Sequence, residues 1–266
     1  MNYHDFIKDV LEQASEIAND KFGKVTGTTK GGDSNQILTE ADLAIGNLII
    51  EKIKKEYPDY NIIDEEAGSI DKKSEFTWVI DPIDGTSNFA QGVPTYGIMI
   101  GLLNDGMPIA GGIALPYFKK ICFAEKGKGA YCNDKRLYVT TENKLIKTLV
   151  AYGVDADHKN PVNTFAETKF LAELMLSITN HRTSNSVFDV LMLIEARYGG
   201  VLNRTSKIWD NVAPQIIIEE AGGLYTDFFG KPIDYSNPLS KITTNYTFCA
   251  ASPVLHKQLQ EIIHRQ

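Results

Sequence analysis

Residues 76–80 are a short apolar run that passes directly into Asp81-Pro82-Ile83-Asp84-Gly85-Thr86. A strand that ends in paired carboxylates restricts the fold more than any other feature of the chain. Ligand sites collect at strand ends and helix starts in α/β folds. Pro82 stiffens the turn, Gly85 allows close backbone approach, and Thr86 adds a hydroxyl. A second strand, residues 61–63, runs the same way into Asp64-Glu65-Glu66. Asp210 opens a helix predicted over 210–221, with Gly222-Gly223 as its stop.

The remaining pattern surrounds these segments. Phe6, Ile7, Val10, Leu11, Ala14, Ile17, Ala18 and Phe22 recur at helical spacing. Residues 23–33, rich in Gly and Thr, read as a mobile loop that would close over the site and bring Lys30 to a phosphate. Thr39 opens a second helix that Tyr57-Pro58 stops. Residues 96–139 read as strands over 96–103, 109–115, 120–125 and 129–132, separated by turns. The second half alternates: strands at 148–154 and 248–251, helices at 161–177, 186–198 and 253–264. The helix at 186–198 is expected to stop at Gly199-Gly200. Two units are expected, residues 1–143 with most of the acidic site and residues 144–266 completing it.

Composition narrows the function. The chain has 266 residues, enough for a substantial core, with 43% hydrophobic and 23% charged residues. A net charge of −7 gives no broad positive field, so nucleic-acid binding is not expected. An anionic substrate would need local attraction, such as bound cations. The three cysteines, Cys122, Cys132 and Cys249, lack tight spacing and read as buried, inert thiols. The N-terminal residues carry acids and no leader-like apolar core, and no apolar run is long enough to span a bilayer. A cytoplasmic protein without membrane partners is expected. The five histidines show no ligand spacing.

Hard divalent cations take oxygen ligands, and two of them can clamp both oxygens of a displacement at phosphorus. Taken singly, each acid has a plainer explanation. Glu65 and Glu66 fit a solvated turn, Asp210 fits a helix N-cap, and Thr39-Glu40-Ala41-Asp42 is a capping-box pattern. Two lookalikes fail on spacing. An EF-hand loop needs an oxygen ligand where Ile83 stands. The Asp-x-Asp-Gly-Thr motif of haloacid dehalogenase phosphatases needs an Asp where Pro82 stands, which leaves activated water as the nucleophile.

Taken together, the segments resemble the inositol monophosphatase family. The likeness rests on Trp78-Val79-Ile80-Asp81-Pro82-Ile83-Asp84-Gly85-Thr86-Ser87-Asn88-Phe89 and on Trp209-Asp210-Asn211-Val212-Ala213 continuing through Glu220-Ala221-Gly222-Gly223, with Asp64-Glu65-Glu66 upstream. The resemblance implies a layered αβαβα sandwich of mixed α/β and α+β character. It further implies two to three Mg²⁺ ions, lithium sensitivity, a homodimer, and a small phosphorylated metabolite as substrate. Glu65, Asp81, the Ile83 carbonyl, Asp84 and Asp210 would hold the metals. Asp42, Glu65 and Thr86 would act on the attacking water. Gly85 and Thr86 would hold the phosphate, and Asn185, Asn203 and Asp210 would meet the leaving group.

There are departures from the family pattern. Asp64 replaces the Gly usual before Glu65, and would alter the metal site or face solvent. Arg182-Thr183-Ser184-Asn185-Ser186-Val187-Phe188 is bulkier than the usual small-residue run, and Asn203 stands where animal inositol monophosphatases carry Glu. Inositol 1-phosphate or a similar ester is the expected substrate. NADP(H), adenosine 3′,5′-bisphosphate and fructose 1,6-bisphosphate are alternatives within the same chemistry. A non-catalytic metal-binding regulatory protein is the alternative of another class. Tyr152, Asp155 and Asp157 are further candidates for the neighbourhood of the site.

Overall fold

A computed structural model describes residues 3–30 and 33–265, and the side chains of 30 and 33–37 are not among those described. Its elements, in chain order, begin with α1 (Tyr3–Lys21), β1 (Thr28–Lys30), β2 (Asp33–Leu38), α2 (Glu40–Glu56), β3 (Asn61–Asp64), β4 (Gly68–Ile70), β5 (Phe76–Asp84) and α3 (Thr86–Ala90). Next come β6 (Gly97–Asn104), β7 (Met107–Leu115), β8 (Lys120–Glu125), β9 (Gly129–Cys132), β10 (Lys135–Arg136) and β11 (Leu149–Gly153). The chain closes with α4 (Pro161–Met175), β12 (Asn180–His181), α5 (Val187–Ile194), β13 (Tyr198–Ser206), α6 (Ile208–Glu220), β14 (Leu224–Thr226), β15 (Tyr246–Ala251) and α7 (Pro253–Ile263).

Two sheets organise the molecule. The larger runs β10-β9-β8-β7-β6-β5-β3-β4, antiparallel except where β3 lies parallel to β5. The smaller runs β12-β11-β13-β15-β14, with β11 parallel to both neighbours. Strand alternation explains the layers. On β6, Ile98, Ile100 and Leu102 join the core formed with α1 and α2. The alternate residues meet α5 and α6: a Cβ on Gly97 would lie 2.3 Å from Val187, and one on Gly101 would lie 2.6 Å from Val212. The far face of the smaller sheet is covered by α4 and α7, through Phe170, Leu174, Leu255 and Leu259. The order of layers is α1/α2, large sheet, α5/α6, small sheet, α4/α7.

Four expectations from the sequence need correction. The helix expected over 186–198 ends at Ile194, and Gly199-Gly200 lie inside β13. They are glycines because of crowding: a Cβ at Gly199 would lie 2.4 Å from Thr148 Oγ1, and one at Gly200 would lie 2.7 Å from Leu259. The helix carrying Asp210 starts two residues earlier than expected, at Ile208, so Asp210 is not the N-cap and Pro214 lies within the helix. Pro214 has no N–H to give the Asp210 carbonyl. Cys122 and Cys132 are not separate thiols. They are paired across β8 and β9, and their sulfurs are bonded. Cys249 alone stays free and buried, and burial pushes its thiol up to about 12. The segment expected as a loop over 23–33 includes β1, which pairs antiparallel with β2. Gly31, Gly32 and the Lys30 side chain lie outside the described residues. No helix among the described residues is long and apolar enough to cross a membrane.

Candidate active site

The parallel neighbours β3 and β5 end side by side. Asp64 is in register with Ile80, and the Glu65 N–H donates to the Ile80 carbonyl at 3.2 Å. That latch sets Glu65 next to Asp81. In an unbroken strand, residues 81 and 84 would face opposite sides. The pairing of β5 with β6 shifts between Asp81 and Asp84, and this irregularity turns both carboxylates into one cleft. Gly85 follows in the left-handed region at φ 78°, where a Cβ would sit 2.9 Å from Ser186 Cβ. It is the N-cap of the short helix α3.

The third carboxylate arrives from the second sheet's side. Asp210 is the third residue of α6, and its Oδ2 accepts the Lys207 N–H at 2.5 Å. Carboxylate oxygens of Asp81, Asp84 and Asp210 lie within 4.8 Å of one another. Glu65, Asp81, Ile83, Asp84, Gly85, Thr86 and Asp210 all line one cleft of about 1360 Å³.

The carboxylates of this cluster strongly disfavour one another's charge. Burial is the largest influence in each case, and neighbouring carboxylates add to it. Asp81 is raised well above the usual range by burial and then by Glu65, Asp84 and Asp210. Asp84 is raised by burial and then by Asp210, although the Val187 N–H donates to its Oδ2. Asp210 is pushed up to about 7 by burial and then by Glu65. Asp81 Oδ1 is buried without a hydrogen-bond partner. Crowded carboxylates with an orphaned buried oxygen suit hard divalent cations, which take oxygen ligands.

Beside the cluster stands a second pair. Thr86 Oγ1 donates to the Ile83 carbonyl at 2.8 Å and lies 3.4 Å from Asp42 Oδ1. Asp42 is buried, and burial raises its pKa. Its Oδ2 accepts from the Thr39 N–H at 2.8 Å and the Thr39 hydroxyl at 2.5 Å, which completes the capping box.

The remaining candidates separate. Asn185, exposed and left-handed at φ 52°, donates to Asp155 Oδ1 at 2.9 Å. Asn203 Nδ2 lies 3.4 Å from Asn185 Oδ1, and Asn203 Oδ1 accepts the Thr205 N–H at 2.6 Å. These residues line a smaller cavity of about 130 Å³ that opens beside Asp84 and Asp210. Asp157 lines the large cleft as well. Tyr152 does not join the site. It is buried in the small-sheet core and donates to Glu167 at 3.2 Å.

Residues not singled out from the sequence hold the two sides together. Asn88 Nδ2 donates to the Thr95 carbonyl at 2.8 Å and the Ser184 carbonyl at 3.0 Å. Buried Asp189 accepts the Ser184 N–H at 2.9 Å and the Asn185 N–H at 3.1 Å, and so fixes the loop that carries Asn185. The Ser186-to-Asp189 spacing is a capping-box signal that could have drawn attention to Asp189. Nothing local could have paired Asn88 with Ser184, 96 residues away.

The description "Inositol monophosphatase family" matches residues 3–266. The fructose-1,6-bisphosphatase/inositol-1-monophosphatase of Aquifex aeolicus is 30% identical over 238 residues, covering 88% of this chain and 89% of its own. The Nus factor SuhB of Haemophilus influenzae is 32% identical over 240 residues, covering 90% and 86%. Among solved structures, the Thermotoga maritima IMPase matches with a TM-score of 0.86 at 26% identity, covering 100% of this chain and 98% of its own. The layered architecture is thus the α/β sandwich of those structures.

Proposed function

The chain belongs to the inositol monophosphatase family, a family of metal-dependent phosphomonoesterases, and from that premise we propose that it is a Mg²⁺-dependent phosphatase of a small phosphorylated metabolite. The observation that carries this reading is the convergence of Asp81, Asp84 and Asp210 within 4.8 Å, beside the Thr86–Asp42 pair. Glu65, Asp81, the Ile83 carbonyl, Asp84 and Asp210 would hold two to three Mg²⁺ ions. When bound, the cations neutralise phosphate charge and lower the pKa of water.

The chain's own residues supply the rest. Thr86 Oγ1 orients the attacking water and accepts its proton, while its own O–H turns from the Ile83 carbonyl to Asp42 Oδ1 and passes a proton to that carboxylate. Burial raises the Asp42 pKa toward the range useful to a general base. Glu65 faces the same water from the neighbouring strand end. The N–H groups of Gly85 and Thr86, at the start of α3, hold the phosphate oxygens. Water attacks phosphorus in a single displacement, the bond to the ester oxygen breaks, and Asp210 positions the water that protonates the departing alkoxide. Asn185 and Asn203 meet the leaving group. Inositol 1-phosphate or a similar ester is the proposed substrate, with lithium as an inhibitor and a cytoplasmic homodimer as the working form.

The test is phosphate release from inositol 1-phosphate, NADP, adenosine 3′,5′-bisphosphate and fructose 1,6-bisphosphate, with and without Mg²⁺. Mg²⁺-dependent release from one preferred ester is the expected result and names the substrate class. The similarity to a protein named as a Nus factor favours a second reading, a metal-binding regulatory protein without turnover. Absence of release from all four esters would favour that reading.

A further inference from the structure

We propose that Asp64 is a positioning residue that holds Glu65 for cation binding, an inference that rests on the acidic cluster being a cation site. Asp64 is the last residue of β3 and is only 1% exposed, so it neither faces solvent nor lines the cleft. Its Oδ1 accepts the Glu66 N–H at 2.9 Å and the Ala67 N–H at 2.7 Å. The Glu65 N–H is latched to Ile80 at 3.2 Å on the other side. The backbone of Glu65 is therefore gripped before and after its Cα, once by β5 and once by the Asp64 side chain.

The same carboxyl also faces helix α2, next to the other ligand-bearing turn. Its Oδ2 is buried, has no hydrogen-bond partner, and faces Gly46 of α2. A Cβ on Gly46 would lie 3.0 Å from Asp64 Oδ2 and 3.3 Å from Pro82 Cγ. Asp64 and Pro82, which belongs to the turn that carries Asp81, Ile83 and Asp84, thus both border the space beside Gly46 of α2. A buried oxygen without a partner is costly. A simple turn former on the surface would close the 65–67 turn without that cost. The carboxyl therefore holds the strand end that supplies Glu65, and Gly46 is small because Asp64 and Pro82 occupy its neighbourhood.

The test is a Mn²⁺ titration of the full chain, followed by electron paramagnetic resonance, with melting temperature measured alongside. Asp64→Ala is expected to weaken Mn²⁺ binding about tenfold or more, the usual range for a residue that orients a metal ligand. Asp64→Asn keeps an accepting oxygen for both N–H groups and should bind within about twofold of wild type. Gly46→Ala pushes on Oδ2 and should weaken binding in the wild-type background, yet add nothing in an Asp64→Gly background. A lower melting temperature with unchanged Mn²⁺ affinity in Asp64→Ala would mean a structural role only, and would overturn the proposal. If Asp64→Ala does not fold, unchanged affinity in Gly46→Ala overturns it instead. A wild-type chain that binds no Mn²⁺ would sink the cation reading itself, which is a different outcome.

Discussion

Asp42 and Asp210 hold the same position in two helices: each is the third residue, and each accepts its N-cap backbone N–H through Oδ2, at 2.8 and 2.5 Å. Capping consumes one oxygen and leaves the other, so that Asp42 Oδ1 lies 3.4 Å from Thr86 Oγ1 of the cleft wall. Capping and chemistry, rival readings of Asp42 in the sequence, use different atoms of one carboxylate. Two helices thereby aim their N-termini at one site, where their dipoles favour negative charge.

Asp84→Asn should lower phosphate release by about a thousandfold, since losing an electrostatic contribution of several kcal/mol costs a factor of ten per 1.4 kcal/mol. The same change removes one of several mutually repelling carboxylates, so in EDTA the variant should melt higher than wild type. Phosphate assays and thermal melts measure the two effects separately. Full retained activity would contradict the role given to the cluster.

Stability without metal should fall as pH rises. Asp210, raised to about 7, and Asp81 and Asp84, also raised, bind protons more tightly folded than unfolded. Their folded forms are fully compatible with burial only below the unfolded carboxylate range near 4. The penalty for ionising Asp210 grows between there and about 7, and Asp81 and Asp84 add a penalty of the same sign. Melting temperature in EDTA should be higher at pH 5 than at pH 8. A flat profile would show that the cluster is not desolvated in solution.

Mg²⁺ should oppose that trend. A ligand at a hundred times its dissociation constant stabilises the folded state by about 2.7 kcal/mol, roughly 5–10 °C for a chain of this size. Melts at pH 8 with saturating Mg²⁺, before and after chelation, provide the measurement. The increment should be largely absent in Asp84→Asn.

Thr86→Ala should cut kcat by about a hundredfold or more with little change in KM, the usual share of a group that assists proton transfer. Thr86→Ser keeps the hydroxyl that donates to Ile83 and should recover most of that loss. Steady-state kinetics on the preferred ester separates kcat from KM.

Gly101→Ala tests how packing reaches the site. The added Cβ would lie 2.6 Å from Val212 and 2.9 Å from the Ala213 nitrogen, so α6 must shift, and α6 carries Asp210. Overpacking of this kind costs about 1–3 kcal/mol. Activity should fall more than the lost stability explains, at a temperature where the variant is fully folded by circular dichroism.

Much of the molecule follows from local pattern. Ile7, Val10, Leu11, Ala14 and Ala18 are buried along one stripe of α1, as their spacing predicts. Thr39 caps α2, and Gly222, at φ 85°, follows the end of α6. The acidic segments after β3 and along β5 end strands as read, and Asp210 falls in the first turn of α6 though not at its start, because capping, turn chemistry and periodicity act within a few residues. Gly199 and Gly200 misled because a glycine that stops a helix and a glycine crowded by Thr148 and Leu259 look alike in one dimension. The bond between Cys122 and Cys132 depends on the register of β8 and β9. Local sequence was enough to single out the acidic side chains and most of the elements that carry them. What only packing settled is that the shifted β5–β6 pairing turns Asp81 and Asp84 the same way, that α6 brings Asp210 to them, and that Asp64 is buried beside the 65–67 turn. Those outcomes depend on strand register and on contacts between distant segments, where packing and not local preference selects the arrangement.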